Sequence, residues 1–372
     1  MSDIASLARL RPANCQLPVS WYFEPEIFAR EKKLLFDAGS GYVGHELMVP
    51  NVGDYQTIEW MDHAKVLVRS SEQAPGGVEF LSNICRHRQS IMLEGRGNLE
   101  SIVCPLHRWT YDLKGELLGA PQFPENPCVK LHSSPLTRWN GLLFSGPRDP
   151  RRDLADFGCS EDFDFSGYVL DRVETTDYAT NWKTFVEVYL EVYHVDFVHA
   201  GLGNFADCSN FQVRYGECNS VQVLTTKKGL TAPGTPVYRK WHEACLNQLR
   251  GKTPKYGALW ATYLPGLTFE WYPNVLIVSN LIPRSPELTT NVVEFYYPEE
   301  IVHFERGFIE AQKAAYIETA LEDDEICRRL DRGRKALWQQ GLDDAGPYQS
   351  PMEDTVVHFH EWLRRGIGVA PK

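Results

Sequence analysis

The chain has 372 residues, too many for one ordinary core and enough for two domains. Hydrophobic residues make up 43% and charged ones 23%, an ordinary soluble globular composition, and a formal charge of −11 argues against a nucleic-acid partner, which would need a basic footprint. No apolar run reaches the length of a membrane span, and the start, Met1-Ser2-Asp3-Ile4-Ala5, lacks the basic and apolar regions of a signal peptide, so the cytoplasm is the expected location.

In chain order, Glu24 to Phe36 reads as a helix with Pro25 in its first turn. From Tyr42 onward short alternating runs broken by glycine and proline take over: Tyr55–Trp60, Lys65–Arg69, Val78–Asn83, Ser101–Val103 and Trp109–Asp112. They predict a small antiparallel β domain that closes near Leu142–Pro147. The domain carries Cys85-Arg86-His87 and, sixteen residues on, Cys104-Pro105-Leu106-His107. Two thiolates and two imidazoles suit a metal centre of mixed donors. Such a set either splits between the two irons of a Rieske [2Fe–2S] cluster or closes around one structural zinc. The nine cysteines are an odd number, and the seven outside this motif follow no framework spacing, as expected of reduced thiols.

The second half opens on a strand at Tyr168–Thr175, followed by Asn181-Trp182-Lys183 and an aromatic, acidic stretch to His199. On a helix Glu187, Glu191 and His194 share one face. His194 and His199 converge on one metal only if the helix bulges or ends early, and Gly201 and Gly203 favour an end. Residues 225 to 255 hold seven Lys or Arg against one Glu, which fits a lid, a docking face for an acidic redox partner or a plain solvated surface. Strands resume at Leu267–Pro273, Val275–Ile282 and Thr290–Tyr297, then a long helix is predicted from Glu299 through Ala320, ahead of Leu321-Glu322-Asp323-Asp324-Glu325-Ile326-Cys327. His358-Phe359-His360 near the end reads as packing.

The cluster motif, with its proline and Trp109, followed by the Asn-Trp-Lys helix and the acidic Ile-Cys segment, resembles the α (terminal oxygenase) subunits of Rieske non-haem iron oxygenases. The resemblance covers nearly the whole chain. Gln89, Leu106 and Arg108 depart from it, standing where a glycine, an aromatic and a small residue are common. The resemblance implies an α+β fold: an N-terminal helical segment over 1–40 packing on the catalytic domain, an all-β Rieske domain over 41–150, and a helix-grip catalytic domain over 151–372. It implies Cys85, His87, Cys104 and His107 as cluster ligands, and His194, His199 and Asp323 (with Asp324 the neighbouring candidate) as the facial triad of a mononuclear Fe(II). It further implies a homotrimer in which Glu191 bridges an iron histidine to a cluster histidine of the next subunit. Electrons would come from NADH through a separate flavin or iron-sulfur reductase, with or without a ferredoxin, for O2-dependent oxidation of a small organic substrate.

The Leu190–His194 spacing resembles the branch with carnitine, choline and betaine oxygenases. Quaternary ammonium groups favour aromatic cages; Tyr189, Tyr193, Trp260, Tyr263, Phe269, Trp271 and Tyr272 are the candidate rings, with Glu187 or Glu270 as anionic partner. An aromatic-ring hydroxylase and a pure Rieske electron carrier are the alternatives.

Overall fold

The computed structural model describes residues 15–61, 64–73 and 76–368. The chain divides into two compact units. One is Ser40–Arg152; the other joins the described residues up to Gly39 with those from Asp153 onward. The N-terminal tail before Cys15 lies outside the described residues.

The smaller unit is all β. A five-stranded sheet is built around Lys65–Arg69, whose Val66, Leu67 and Val68 are fully buried, and a three-stranded sheet pairs Tyr42–His45 with Leu142–Phe144 and Thr137–Trp139. A third sheet, Ile102–Val103, Thr110–Tyr111 and Leu117–Gly119, is a short hairpin extended by one strand. Its first turn carries Cys104 and His107, while Cys85 and His87 follow the strand Val78–Ser82.

The larger unit is one antiparallel sheet of seven strands with helices packed against it. The spatial order is Tyr168–Tyr178, Leu288–Pro298, Val275–Ser285, Leu267–Tyr272, Ala258–Tyr263, Asn219–Thr226, Ala206–Tyr215. A 34-residue helix, Arg306–Gln339, crosses the sheet; Phe308, Ile309 and Ala315 share a core with Trp241, Val293, Phe295 and Tyr297. The helix predicted from Glu299 is interrupted: a first segment, Glu299–Phe304, stops where Glu305 leaves helical dihedrals, and the long helix then runs nineteen residues past Ala320 to Gln339.

The helix of the histidine motif, expected to bulge or end near Val195, ends earlier. The chain is helical from Trp182 to Leu190, extended at Glu191 (φ −93°, ψ 138°), and helical again for one turn at Val195–Val198. A helix end needs partners for its free carbonyls, and here they come from far away. Leu190 O accepts from Thr355 Oγ1 at 2.5 Å and from Gln222 Nε2 at 3.0 Å, while Val192 N–H donates to Met352 O at 3.3 Å. No local signal in the sequence marks this stop.

The start of that helix is fixed just as firmly. Asn181 caps it, accepting from Lys183 N–H at 2.9 Å and donating to Tyr22 O and Pro286 O, both at 2.8 Å. Trp182 Nε1 and Lys183 Nζ both reach the buried carboxylate of Glu31. The Asn-Trp-Lys signature is thus a clasp between the metal-motif helix and the N-terminal segment.

Candidate metal centres and active-site cavity

In the β unit the two ligand loops have the same backbone plan. Gln89 N–H donates to Cys85 O and Arg108 N–H to Cys104 O, each at 3.1 Å; Cys85 N–H donates to Ser90 O and Cys104 N–H to Trp109 O. Each loop closes through a left-handed residue, Gln89 (φ 54°) in one and Arg108 (φ 61°) in the other, a conformation that explains why small residues suit these two places. The thiols of Cys85 and Cys104 are buried, and the His87 and His107 rings lie 4.7 Å apart. His87 stacks on Trp109 at 4.8 Å, and its Nδ1 is buried with no hydrogen-bond partner among the described residues. An orphaned imidazole nitrogen beside two buried thiols and a second imidazole fits a metal cluster's demand for lone pairs. Tyr111 was not singled out from sequence. Its hydroxyl lies 3.4 Å from Cys85 Sγ and accepts from Arg86 N–H at 3.0 Å, a contact able to tune a bound cluster.

In the larger unit His194 Nε2 and His199 Nε2 lie 3.0 Å apart, and Asp323 Oδ1 is 3.0 Å from His199 Nε2 and 3.4 Å from His194 Nε2. Three donors facing one point form the two-histidine, one-carboxylate pattern of non-haem iron. The break at Glu191 is what lets two histidines five residues apart meet. Asp324 turns away to pair with Arg328.

Behind each histidine stands a carboxylate. Glu191 accepts from His194 Nδ1 and from the His194 backbone N–H, and Glu322 Oε2 takes His199 Nδ1 at 2.7 Å. Both pairs hold the proton on Nδ1 and leave Nε2 free to ligate. Glu322 was missed in the sequence because one acid in a run of four reads as a wet helix face. The local field is strongly negative. Burial opposes a charge on His194, yet Asp323 and Glu191 outweigh it and lift its pKa to about 9; Asp323, despite burial, is held below its ordinary value by the two histidines. A field of this sign favours a bound cation.

The triad opens on a cavity between the sheet and the long helix, walled by Tyr189, Phe205, Tyr238, Trp241, Trp260 and Tyr272 among others. Of the nine substrate candidates read from the sequence, Tyr189, Trp260, Glu270 and Tyr272 line it. Five do not. Glu187, on the motif helix, is bonded instead to Tyr22, Arg334 and His360. Tyr193 is exposed. Tyr263 donates to Asp153, Phe269 packs on Phe157 and Phe163, and Trp271 on Tyr256. Strand alternation explains the last three. Trp260 pairs with Glu270, so the cavity receives Trp260, Thr268, Glu270 and Tyr272, while the intervening residues face the other side. The basic 225–255 stretch supplies wall residues, since its helix Pro236–Gln248 carries Tyr238 and Trp241; Lys227 and Lys255 pair with Asp196 and Asp162.

A cluster-binding β unit followed by a gripping sheet with a facial donor triad defines the iron-sulfur-dependent oxygenases. Residues 41–133 match the Rieske [2Fe-2S] domain and residues 165–368 the ring hydroxylating alpha subunit (catalytic domain). The chain belongs to the Rieske non-haem iron oxygenase family: it is an oxidoreductase whose cofactors are a Rieske cluster and a mononuclear iron. It is 58% identical over 365 residues to putrescine 2-hydroxylase of Ralstonia nicotianae, covering 98% of this chain and 99% of that one. It is 51% identical over 383 residues to putrescine 2-hydroxylase of Bordetella bronchiseptica, covering 99% and 88%. A solved quaternary ammonium Rieske monooxygenase shares the fold, with TM-score 0.74 at 18% identity over 95% of each chain. Family members draw electrons from reductase or ferredoxin partners and form oligomers. No helix among the described residues is long and apolar enough to cross a membrane.

Proposed function

We propose that the protein hydroxylates an aliphatic C–H bond of a small diamine, putrescine, with Cys85, His87, Cys104 and His107 holding the cluster and His194, His199 and Asp323 the iron. The observation that carries the reading is the convergence of two Nε2 atoms and Asp323 Oδ1 on a cavity walled by aromatic rings and carboxylates, in a chain 58% identical to a putrescine hydroxylase over nearly its full length. The sequence pointed first to quaternary ammonium compounds; the primary diamine keeps the positive charge and drops the methyl groups.

When bound, the cluster supplies electrons and the mononuclear iron supplies O2 activation. The overall reaction takes two electrons and two protons, puts one oxygen atom into the C–H bond and releases the other as water. The chain's own contribution is positional. Glu191 and Glu322 fix the two imidazole tautomers, and the ring walls exclude water from a site where stray oxidation would otherwise compete.

Electron delivery is read as passing between copies in a trimeric ring, from a cluster histidine through Glu191 to His194, with NADH oxidised by a separate reductase. Exposed apolar side chains at both ends support the docking of copies: Leu106 and Phe123 beside the cluster loop, Tyr193, Phe197 and Leu321 beside the iron motif. The test is O2 uptake with reductase and NADH over a panel of putrescine, quaternary amines and aromatic acids. Putrescine is expected to give coupled uptake and a product one oxygen heavier; uptake coupled to an aromatic acid alone would overturn the reading.

A further inference from the structure

The cavity holds one buried acid that the metal chemistry does not use. Glu270 sits on the strand Leu267–Tyr272, 8% exposed and facing the cavity. Its Oε2 accepts from Tyr272 Oη at 2.8 Å, and that phenol oxygen in turn accepts from Trp260 Nε1 at 3.0 Å. The indole orients the phenol, and the phenol orients the carboxylate. The other carboxylate oxygen meets no donor among the described residues, and no Lys or Arg lines the cavity.

Glu187, as deeply buried, shows how this chain treats an acid it needs only for structure. Arg334, His360 and Tyr22 surround it, and despite burial they bring its pKa down to about 2. Glu270 has no cation. The groups facing it are the phenols of Tyr272, Tyr189 and Tyr316, all neutral, while Asp323 across the cavity is given to the iron. An uncompensated carboxylate in such a place is costly. A cation arriving with the substrate removes the cost, and the faces of Trp260 and Tyr272 beside it add attraction for the same charge.

The geometry points to Glu270 as the counter-ion for a substrate ammonium group, held by the Trp260–Tyr272 relay so that one buried charge selects cationic amines and anchors one end of the molecule while a carbon further along faces the triad. This rests on the reading of the chain as an amine hydroxylase. Burial raises the pKa of Glu270 to about 7 against the opposing Tyr272 hydrogen bond. Amine binding therefore expels a proton from the fraction of molecules in which Glu270 is protonated, and the ammonium itself keeps all of its protons.

The experiment is calorimetric titration of the anaerobic holoenzyme with putrescine and n-butylamine, using 1-butanol as the uncharged isostere, in two buffers of different ionisation enthalpy. Wild type is expected to prefer the amines and to release protons at pH 6 to 7. Glu270→Gln keeps its cluster absorption and iron content, binds the amines about 10- to 100-fold more weakly, the range expected for losing a hydrogen bond to a charged group, and releases no protons. Tyr272→Phe, which leaves the carboxylate but loses its orienting donor, falls between, and Glu270→Asp restores proton release. Putrescine turnover by wild type with unchanged amine affinity and proton release in Glu270→Gln overturns the assignment alone. Failure of wild type to bind any amine overturns the diamine reading together with it.

Discussion

At the residue scale, the two carboxylates behind the histidines differ in what they reach. Glu322 hydrogen-bonds His199, so Glu322→Gln is expected to weaken iron binding about 10- to 100-fold, the usual cost of losing a carboxylate behind a metal-bound histidine, with cluster absorption intact; iron analysis after dialysis against a weak chelator checks it. Glu191→Gln is expected to keep both metals and lose turnover, because the proposed inter-copy electron path runs through Glu191; a single-turnover assay with pre-reduced cluster measures this. Asp323→Asn should empty the mononuclear site, whereas Asp324→Asn should only lose the surface pair with Arg328. Glu270 brings a pH dependence. Its folded pKa, about 7, lies above the ordinary 4.5, and amine binding requires the ionised form. Affinity for putrescine should therefore fall about tenfold per pH unit below 7 and level off above it. In Glu270→Gln that slope should vanish.

At the scale of elements, the metal-motif helix is held by a buried polar network. Thr180, Asn181 and Thr184 all bond Asp331, and Glu187 bonds Arg334, one turn further along the long helix. Arg334→Met strands Glu187 without its cation and is expected to cost about 3–5 kcal/mol, read by urea unfolding of the larger unit. The sequence disclosed the ligands more readily than these supports. Cysteine and histidine at fixed offsets, and a distant acid in a matching context, are dictated by metal chemistry and stand out locally. Glu187 and Glu270 looked alike in the sequence. Only strand register, helix packing and the distant partners Tyr22, Arg334 and His360 separate a structural acid from one facing the cavity. The same holds for Phe269 and Trp271, which a period of two sends to the far side of the sheet from Glu270.

At the scale of the whole molecule, both units expose apolar side chains around their metal motifs, and a ring of copies would bury them. Leu106→Asp is expected to leave cluster absorption unchanged while lowering the assembly state in light scattering and slowing reductase-driven turnover. The α+β class and the alternation of a β unit with a helix-rich one were legible because hydrophobic period changes sharply along the chain. The break of the motif helix at Glu191 was not, since Leu190 O is satisfied by Thr355 and Gln222 rather than by any nearby residue.

That remote tie also sets an order of events during synthesis. The histidine pair leaves the ribosome on the order of ten seconds before the segment around Met352 and Thr355, at ordinary elongation rates. Until that segment arrives, the backbone at Leu190–Val192 lacks the Thr355 and Met352 partners that help hold its bend, and Asp323 must also have emerged. A growing chain therefore presents no finished iron site to compete for cellular metal. Iron loading is thus expected to be a late event, completed once the helix Asp354–Ile367 has docked.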